Sequence, residues 1–245
     1  MSKEEILEKL RDDEQYYGDY GKQWLSNSDI GALLSNPRSF QVRDQAMHPA
    51  FLQGGYFHTA ILEPHKLGNY KISEARNRNA KAYKDLGEHA LLQHEVDNLD
   101  KMIDVLKKCD EVRNLVYPVL DETTIEYEMP GVTELFGVPW KGKADILNHE
   151  EKLIVDLKTT GDILNFRKSA HKYNYDSQSY IYKHLFGYDL VFVAIDKTTH
   201  QLGLFECSDY FYDRGEQKVE SAVEIYKQWQ DKNFNPDQAF IHETL

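Results

Sequence analysis

The sequence predicts an α/β protein: a mixed central β-sheet flanked by helices, with a mainly helical portion ahead of it. Three observations predict this. Apolar residues recur at helical intervals before Pro118, three strand-like runs follow it, and the remainder alternates helix, strand and helix. The order helix, three strands, helix, two strands, helix places helices on both faces of a mixed sheet. With 245 residues, 41% of them apolar, the chain is long enough for one substantial core. One domain is expected: residues 1–118 mainly helical, 119–210 the sheet core, 211–245 a closing helix and tail.

Residues 3–11 read as a short polar helix and Tyr16 to Gly21 as a loop. Ser26-Asn27-Ser28-Asp29 offers N-caps to a helix through Ile30 and Leu34, which Asn36-Pro37 ends. A second helix is expected over 38–46. After Pro49, the residues Phe51, Gly54, Gly55, His58 and Leu62 fall at helical intervals, and Pro64 stops that run. Helices are expected at 88–108 and 109–117, the first with Leu91, Leu92, Val96, Leu99, Met102, Ile103 and Leu106 on one stripe. Strands are expected at 123–129, 137–147 and 152–158, the last two joined by the turn-rich Asn148 to Glu151. Helices at 162–170 and 174–186, strands at 190–196 and 202–207, and a helix over 211–231 with Val219, Val223, Tyr226 and Trp229 on one side complete the chain.

Composition narrows the function. No apolar stretch approaches the ~20 residues of a membrane span, and the first residues carry no apolar signal region, so a cytoplasmic protein without membrane contact is expected. Cys109 and Cys207 stand far apart with no CxxC pair, which argues against an iron-sulfur cluster or structural zinc. The net charge of −12 argues against coating nucleic acid by bulk attraction. A local basic groove remains compatible with it, because screening confines charge effects to about 8 Å at physiological salt.

The most informative stretch is Leu153-Ile154-Val155-Asp156-Leu157-Lys158-Thr159-Thr160, one hairpin after Gly142-Lys143-Ala144-Asp145. In a strand, side chains alternate faces. Leu153, Val155 and Leu157 then enter a core, while Asp156 and Lys158 share the opposite face and Asp145 arrives on the neighbouring strand. Glu126 and Glu128, two apart, share a face of the preceding strand. Two carboxylates about 4 Å apart repel by about 4 kcal/mol at an effective dielectric near 20, and a divalent cation reverses that sign. Magnesium fits because it prefers oxygen ligands and retains water. Acids holding a cation, with a lysine to position or deprotonate water, are the requirements of phosphodiester cleavage. His58 reads either as a satisfied core histidine or as a ligand to a second metal. Gln178 and Tyr182, one helical turn apart, either cap the core or bond phosphate and base edges.

Taken together, Gly55-x-x-His58, Glu126, Gly142-x-x-Asp145, Asp156-x-Lys158-Thr159 and Gln178-x-x-x-Tyr182 resemble the PD-(D/E)XK nucleases of the RecB-like branch. The stretch from Ser26 through Leu62 and the GKAD to DLKTT core resemble the RecE-like, exodeoxyribonuclease VIII type of phage and prophage exonucleases. The match runs from about 26 to 190. The resemblance implies a restriction-endonuclease-like fold and two magnesium ions per site, with manganese as a substitute. It implies Asp145, Asp156, His58 and one glutamate as metal ligands, Glu126 matching by spacing better than Glu128, and Lys158 acting on the attacking water. Gln178 and Tyr182 would contact substrate or support the site. Ala144 stands where the family's proline precedes the aspartate, and the four cysteines of iron-sulfur members are missing.

The resemblance further implies digestion of linear double-stranded DNA from 5′ to 3′, leaving 3′ overhangs for a RecT-like single-strand annealing partner, by a ring-shaped homo-oligomer in a phage-infected or lysogenic bacterium. An endonuclease or flap nuclease of the same fold, or a noncatalytic DNA-binding subunit, is the alternative. Ser28 at a helix N-terminus, with Ser35 and Arg38, could receive a 5′ phosphate; a plain capped helix accounts for them equally well. The basic cluster with Arg76, Arg78, Lys81 and Tyr83 could guide the strand; a solvated loop is the alternative.

Overall fold

A computed structural model describes residues 1–40, 48–87, 89–118 and 124–230. The N-terminal helices are α1 (Lys3–Arg11), α2 (Asp13–Tyr17), α3 (Asn27–Ser35) and α4 (Pro49–Leu62). Next come β1 (Lys71–Ser73), α5 (Lys81–Lys84), β2 (Ala90–Leu92), α6 (Gln93–Lys108) and α7 (Asp110–Val116). The sheet region holds β3 (Ile125–Leu135), β4 (Val138–Asn148), β5 (Leu153–Thr160), α8 (Phe166–Lys172), α9 (Tyr175–Phe186), β6 (Asp189–Asp196) and β7 (Leu202–Glu206). α10 (Asp209–Gln230) follows.

The five-stranded sheet runs β3-β4-β5-β6-β7. β5 pairs with β6 in parallel and every other neighbour is antiparallel, so the expected mixed sheet with flanking helices is present. Its two faces bury separate layers. On one, α3, α8, α9 and α10 pack through Leu33, Phe166, Ile181 and Val219 onto Ile154, Phe192 and Ala194. On the other, α4, α6 and α7 pack through Phe57, Leu99, Met102 and Val116 onto Val155, Leu157, Val191 and Val193. Val155 and Leu157 on one face and Ile154 on the other follow the alternation expected of the DLK strand.

Local signals explain most boundaries. Ser26 and Asp29 form a capping box at α3, and Asn36-Pro37 ends it. The apolar stripe of α6 is buried at Val96, Leu99, Met102, Ile103 and Leu106. Four expectations need correction. The segment 16–21 is not all loop, because α2 reaches Tyr17, whose neighbour Tyr16 is buried. Leu91 and Leu92 belong to strand β2, paired in parallel with β1, and precede the helix. β3 extends past 129 to Leu135 and turns at Phe136-Gly137, both at positive φ. Of the helix expected over 38–46, Pro37–Ser39 is a 3-10 turn and 41–47 lie outside the described residues, as do residue 88, 119–123 and the tail from 231. Among the described residues no helix is long and apolar enough to cross a membrane.

Candidate active site

The site begins where the sheet forks. β4 and β5 pair only from Ile146↔Val155 to Asn148↔Leu153, while β5 stays on β6 along its whole length. The freed half of β4 bonds elsewhere: Leu25 N–H donates to Pro139 O at 3.0 Å and Lys141 N–H to Leu25 O at 2.8 Å. Asp145 fills the fork, its Oδ2 accepting the Leu157 N–H at 2.7 Å. A carboxylate thus takes the ladder bond that the departing strand would have supplied.

His58 comes from α4. Its Nδ1 lies 2.8 Å from Gly54 O, and its Nε2 lies 2.9 Å from Leu157 O and 3.1 Å from Asp145 Oδ2. Both ring nitrogens face oxygen acceptors, which favours the doubly protonated ring. Burial opposes that charge, but the Asp145 carboxylate outweighs it and the ring is pushed up to about 9. Against the same burial, His58, Lys158 and the Leu157 N–H hold Asp145 below the ordinary carboxylate range.

On β5, Asp156 and Lys158 share one face and pair directly, Oδ1 to Nζ. Asp156 is almost fully buried, and its Oδ2 accepts from Gln178 Nε2 at 2.6 Å. Burial raises Asp156 to about 6 despite the lysine beside it. Lys158 itself is raised, since Asp156 and Asp145 together exceed the cost of burying it; its Nζ lies 4.8 Å over the Tyr175 ring. Gln178 and Tyr182 share a face of α9, as expected, and both face the site's frame. Tyr182 donates its hydroxyl to Lys143 O at 2.9 Å and its ring covers Gly142. The glycine of GKAD is therefore a packing requirement, because a Cβ there would stand 2.6 Å from that ring.

The third acid in the cleft is Glu128, where spacing favours Glu126. Strict alternation would keep the two on one face, but Glu128 has a left-handed backbone, φ 51°, at the position across from Asp145 in the β3–β4 register. Such a conformation costs about 1–3 kcal/mol and gathers at functional sites. Burial, with Asp145 nearby, pushes Glu128 up to about 8. Glu126 instead bonds Arg11 at 3.1 Å and His149 at 2.8 Å, partners on the first helix and in the turn between β4 and β5.

These groups line a cleft of about 990 Å³ whose far wall is the N-terminal segment. There Asp13 bonds Lys143 at 2.6 Å and Lys66 at 3.0 Å, and Lys141 donates to Tyr16 O. Sequence reasoning missed Lys141 and Lys143, although their period-2 spacing from Asp145 was the signal for both. Ser28 lies on the cleft wall, its Oγ 2.8 Å from Ser26 Oγ. Ser35 is at the opposite end of α3, bonded to Gly31 O at 2.5 Å, and Arg38 follows it, so neither shares a helix N-terminus with Ser28. Arg76 and Lys81 are exposed outside the cleft wall, and Arg78 is committed to Glu95 at 2.8 Å.

Among the described residues no three His, Cys, Asp or Glu side chains are grouped tightly enough to hold a metal ion; Lys158, Gln178 and His58 take up the carboxylates instead. The donor chemistry nevertheless fits a hard divalent cation. Asp145, Asp156 and Glu128 share one cleft, and burial with the Asp145 charge nearby pushes the latter two above the ordinary carboxylate range, a cost that a cation relieves. His58 has one ring nitrogen fixed on a backbone carbonyl, and its Nε2, on Leu157 O and Asp145 Oδ2, would ligate only after giving up its proton.

A mixed sheet forked at its centre, with one aspartate in the fork and Asp156-x-Lys158 on the adjoining strand, defines a PD-(D/E)XK-like, restriction-endonuclease-like protein. The chain belongs to the family described as "PDDEXK-like domain of unknown function (DUF3799)", which matches residues 38–243. Among solved structures it is similar to a "putative exonuclease" from Eubacterium rectale, with a TM-score of 0.63, 16% identity, and 87% of this chain and 85% of that one covered. A "phage related exonuclease" from Haemophilus somnus 129PT aligns at a TM-score of 0.39 and 13% identity over 85% of this chain and 96% of that one. At 16% identity the first of these speaks to the fold alone. No curated protein matches the chain.

Proposed function

We propose that the protein is a divalent-metal-dependent deoxyribonuclease, an exonuclease that digests one strand of linear duplex DNA from 5′ to 3′ and leaves 3′ overhangs for a single-strand annealing partner. The observation that carries the reading is the meeting of Asp145, Asp156, Lys158 and His58 at the sheet fork. Asp145, Asp156 and Glu128 would hold magnesium, with His58 beside them. The bound cation supplies a polarised water and charge neutralisation at the phosphate. Lys158, its charge held by Asp156, would orient that water and face the phosphate. Gln178 keeps Asp156 in register. A ring of subunits would hold the enzyme on its substrate without a basic surface overall.

The test is digestion of duplexes labelled separately at each end, with and without a 5′ phosphate, in magnesium, in manganese and in excess chelator. The expectation is release from labelled 5′ ends of linear duplex, no cutting of closed circles, and loss of activity with chelator, with Asp156→Ala and with Lys158→Ala. Chelator-resistant cutting, or full activity in either variant, overturns the mechanism. Cutting of closed circles overturns the exonuclease assignment.

A further inference from the structure

In the basic cluster that the sequence advertises, Arg76 to Lys84, the middle is committed, while Arg76, Lys81 and Lys84 are exposed. Arg78 is tied to Glu95, and Tyr83 is buried with its hydroxyl on Ala90 O at 2.9 Å. A second cationic surface is open. In seven residues, α8 carries Arg167, Lys168, His171 and Lys172 and no acid. Phe166 and Ala170, one turn apart, are its buried side, which leaves Arg167, Lys168 and Lys172 exposed. Among the described residues none of these three pairs with a carboxylate. The nearest acids in sequence are occupied, Asp162 by Asn165 at 2.7 Å and Asp176 by Lys218 at 2.7 Å. In a chain of net charge −12, an acid-free cationic helix is a local concentration of positive charge.

The helix lies outside the cleft lining, but a row of side chains leads from it to the site lysine. Lys172 Nζ lies 5.4 Å from the Tyr173 ring, that ring 6.2 Å from the Tyr175 ring, and Tyr175 4.8 Å from Lys158 Nζ. Tyr173 is 56% exposed, an accessible aromatic ring between a cationic patch and the site lysine. Phosphates at regular spacing beside bases with π-faces are complementary to such a row.

We infer that α8 and Tyr173 form the docking surface for the nucleic-acid strand entering the cleft, with phosphates on Arg167, Lys168 and Lys172 and a base against Tyr173. This rests on the nuclease reading above and adds the surface that grips the substrate. It also accounts for how a strongly acidic chain binds a polyanion: the grip is local and salt-sensitive.

The experiment uses the full chain in two backgrounds. In an Asp156→Asn background with magnesium, binding of labelled duplex is measured across salt concentrations. The triple variant Arg167→Gln/Lys168→Gln/Lys172→Gln should flatten the slope of log affinity against log salt by about 2 to 3, and the charge-keeping triple Arg167→Lys/Lys168→Arg/Lys172→Arg should not. Tyr173→Ala should weaken binding of single-stranded ends about five- to a hundredfold. In the otherwise native chain, the Gln triple should lose cutting of long duplex yet hydrolyse a small chromogenic phosphodiester like wild type. An unchanged salt slope in the Gln triple, with wild type binding and cutting DNA, overturns the docking surface alone. A wild type that neither cuts DNA nor hydrolyses the small diester overturns the nuclease reading, and the docking surface falls with it.

Discussion

Gly142→Ala adds one methyl group at a close approach between β4 and α9. The new Cβ would stand 2.6 Å from Tyr182 Cε1 and 2.6 Å from Leu185 Cδ1, against ordinary carbon contacts of about 3.5–4.0 Å. The Leu185 and Tyr182 side chains must yield by about 1 Å, and because the Tyr182 hydroxyl is held on Lys143 O, part of that shift falls on α9. Overpacking of this kind costs about 1–3 kcal/mol, and the reduced freedom of the unfolded chain returns about 0.4–1 kcal/mol. The net loss is about 0–2.6 kcal/mol, centred above 1, read as a lower urea midpoint at unchanged slope. The displaced helix also carries Gln178, so the 2.6 Å bond to Asp156 loosens and kcat should fall more than KM rises. Gly54→Ala is the control. It lies within α4 with nothing inside 4 Å of its Cβ position, so it should match wild type or gain up to about 1 kcal/mol. A Gly142→Ala protein with wild-type midpoint and turnover, or a Gly54→Ala protein that falls as far, refutes the reasoning.

Two further outcomes follow from the same groups. His58 is raised from 6.5 to about 9, Glu128 from 4.5 to about 8 and Asp156 from 3.8 to about 6. The folded protein holds all three protons more tightly than the unfolded chain, so their contribution is complete below the unfolded values and is lost as pH rises through the folded ones. In chelator, thermal stability should therefore fall between about pH 6 and about pH 9, less steeply in Glu128→Gln, and millimolar magnesium should reduce the fall by favouring the ionised acids; a flat or rising profile in chelator contradicts this. At the fork, Asp145→Asn keeps an acceptor for the Leu157 N–H and Asp145→Ala does not. Both should lose cutting, but only the alanine should lose about 1–3 kcal/mol of stability for an orphaned buried donor. Equal urea midpoints for the two would remove the carboxylate's structural role.

What was legible in the sequence is what alternation and helical spacing control. Asp156 and Lys158 share a face because strand geometry allows nothing else, and the apolar stripe of α6 and the pairing of Gln178 with Tyr182 follow from a period near four. Glu128 was only half legible: its kinship with Asp145 depends on one left-handed residue, and nothing in the composition of Glu126-Tyr127-Glu128 announces which acid turns inward. The partners of Glu126, Arg11 and His149, lie 115 and 23 residues away, beyond the reach of local pattern. Leu91 and Leu92 carry a helical stripe's residue type but become a strand because β1 offers them a parallel edge. The α8 cations were in plain view, yet only burial of Phe166 and Ala170 shows which side of that helix is free.

The fork joins stability to chemistry. A sheet that stayed paired through 145 and 156 would set the two aspartates side by side in one continuous ladder with no space between strands for substrate. Parting β4 from β5 opens that space but strips Leu157 of a partner and leaves β4 with a bare edge. Asp145 supplies the first missing bond and Leu25 the second. The N-terminal segment that brings Leu25 also carries Asp13 and Tyr16 to Lys143 and Lys141, so the far wall of the cleft is built by the strand-edge repair itself. Residues ahead of the family match at 38 are thereby part of the site's construction, and the acid in the fork serves the backbone before it serves any ligand.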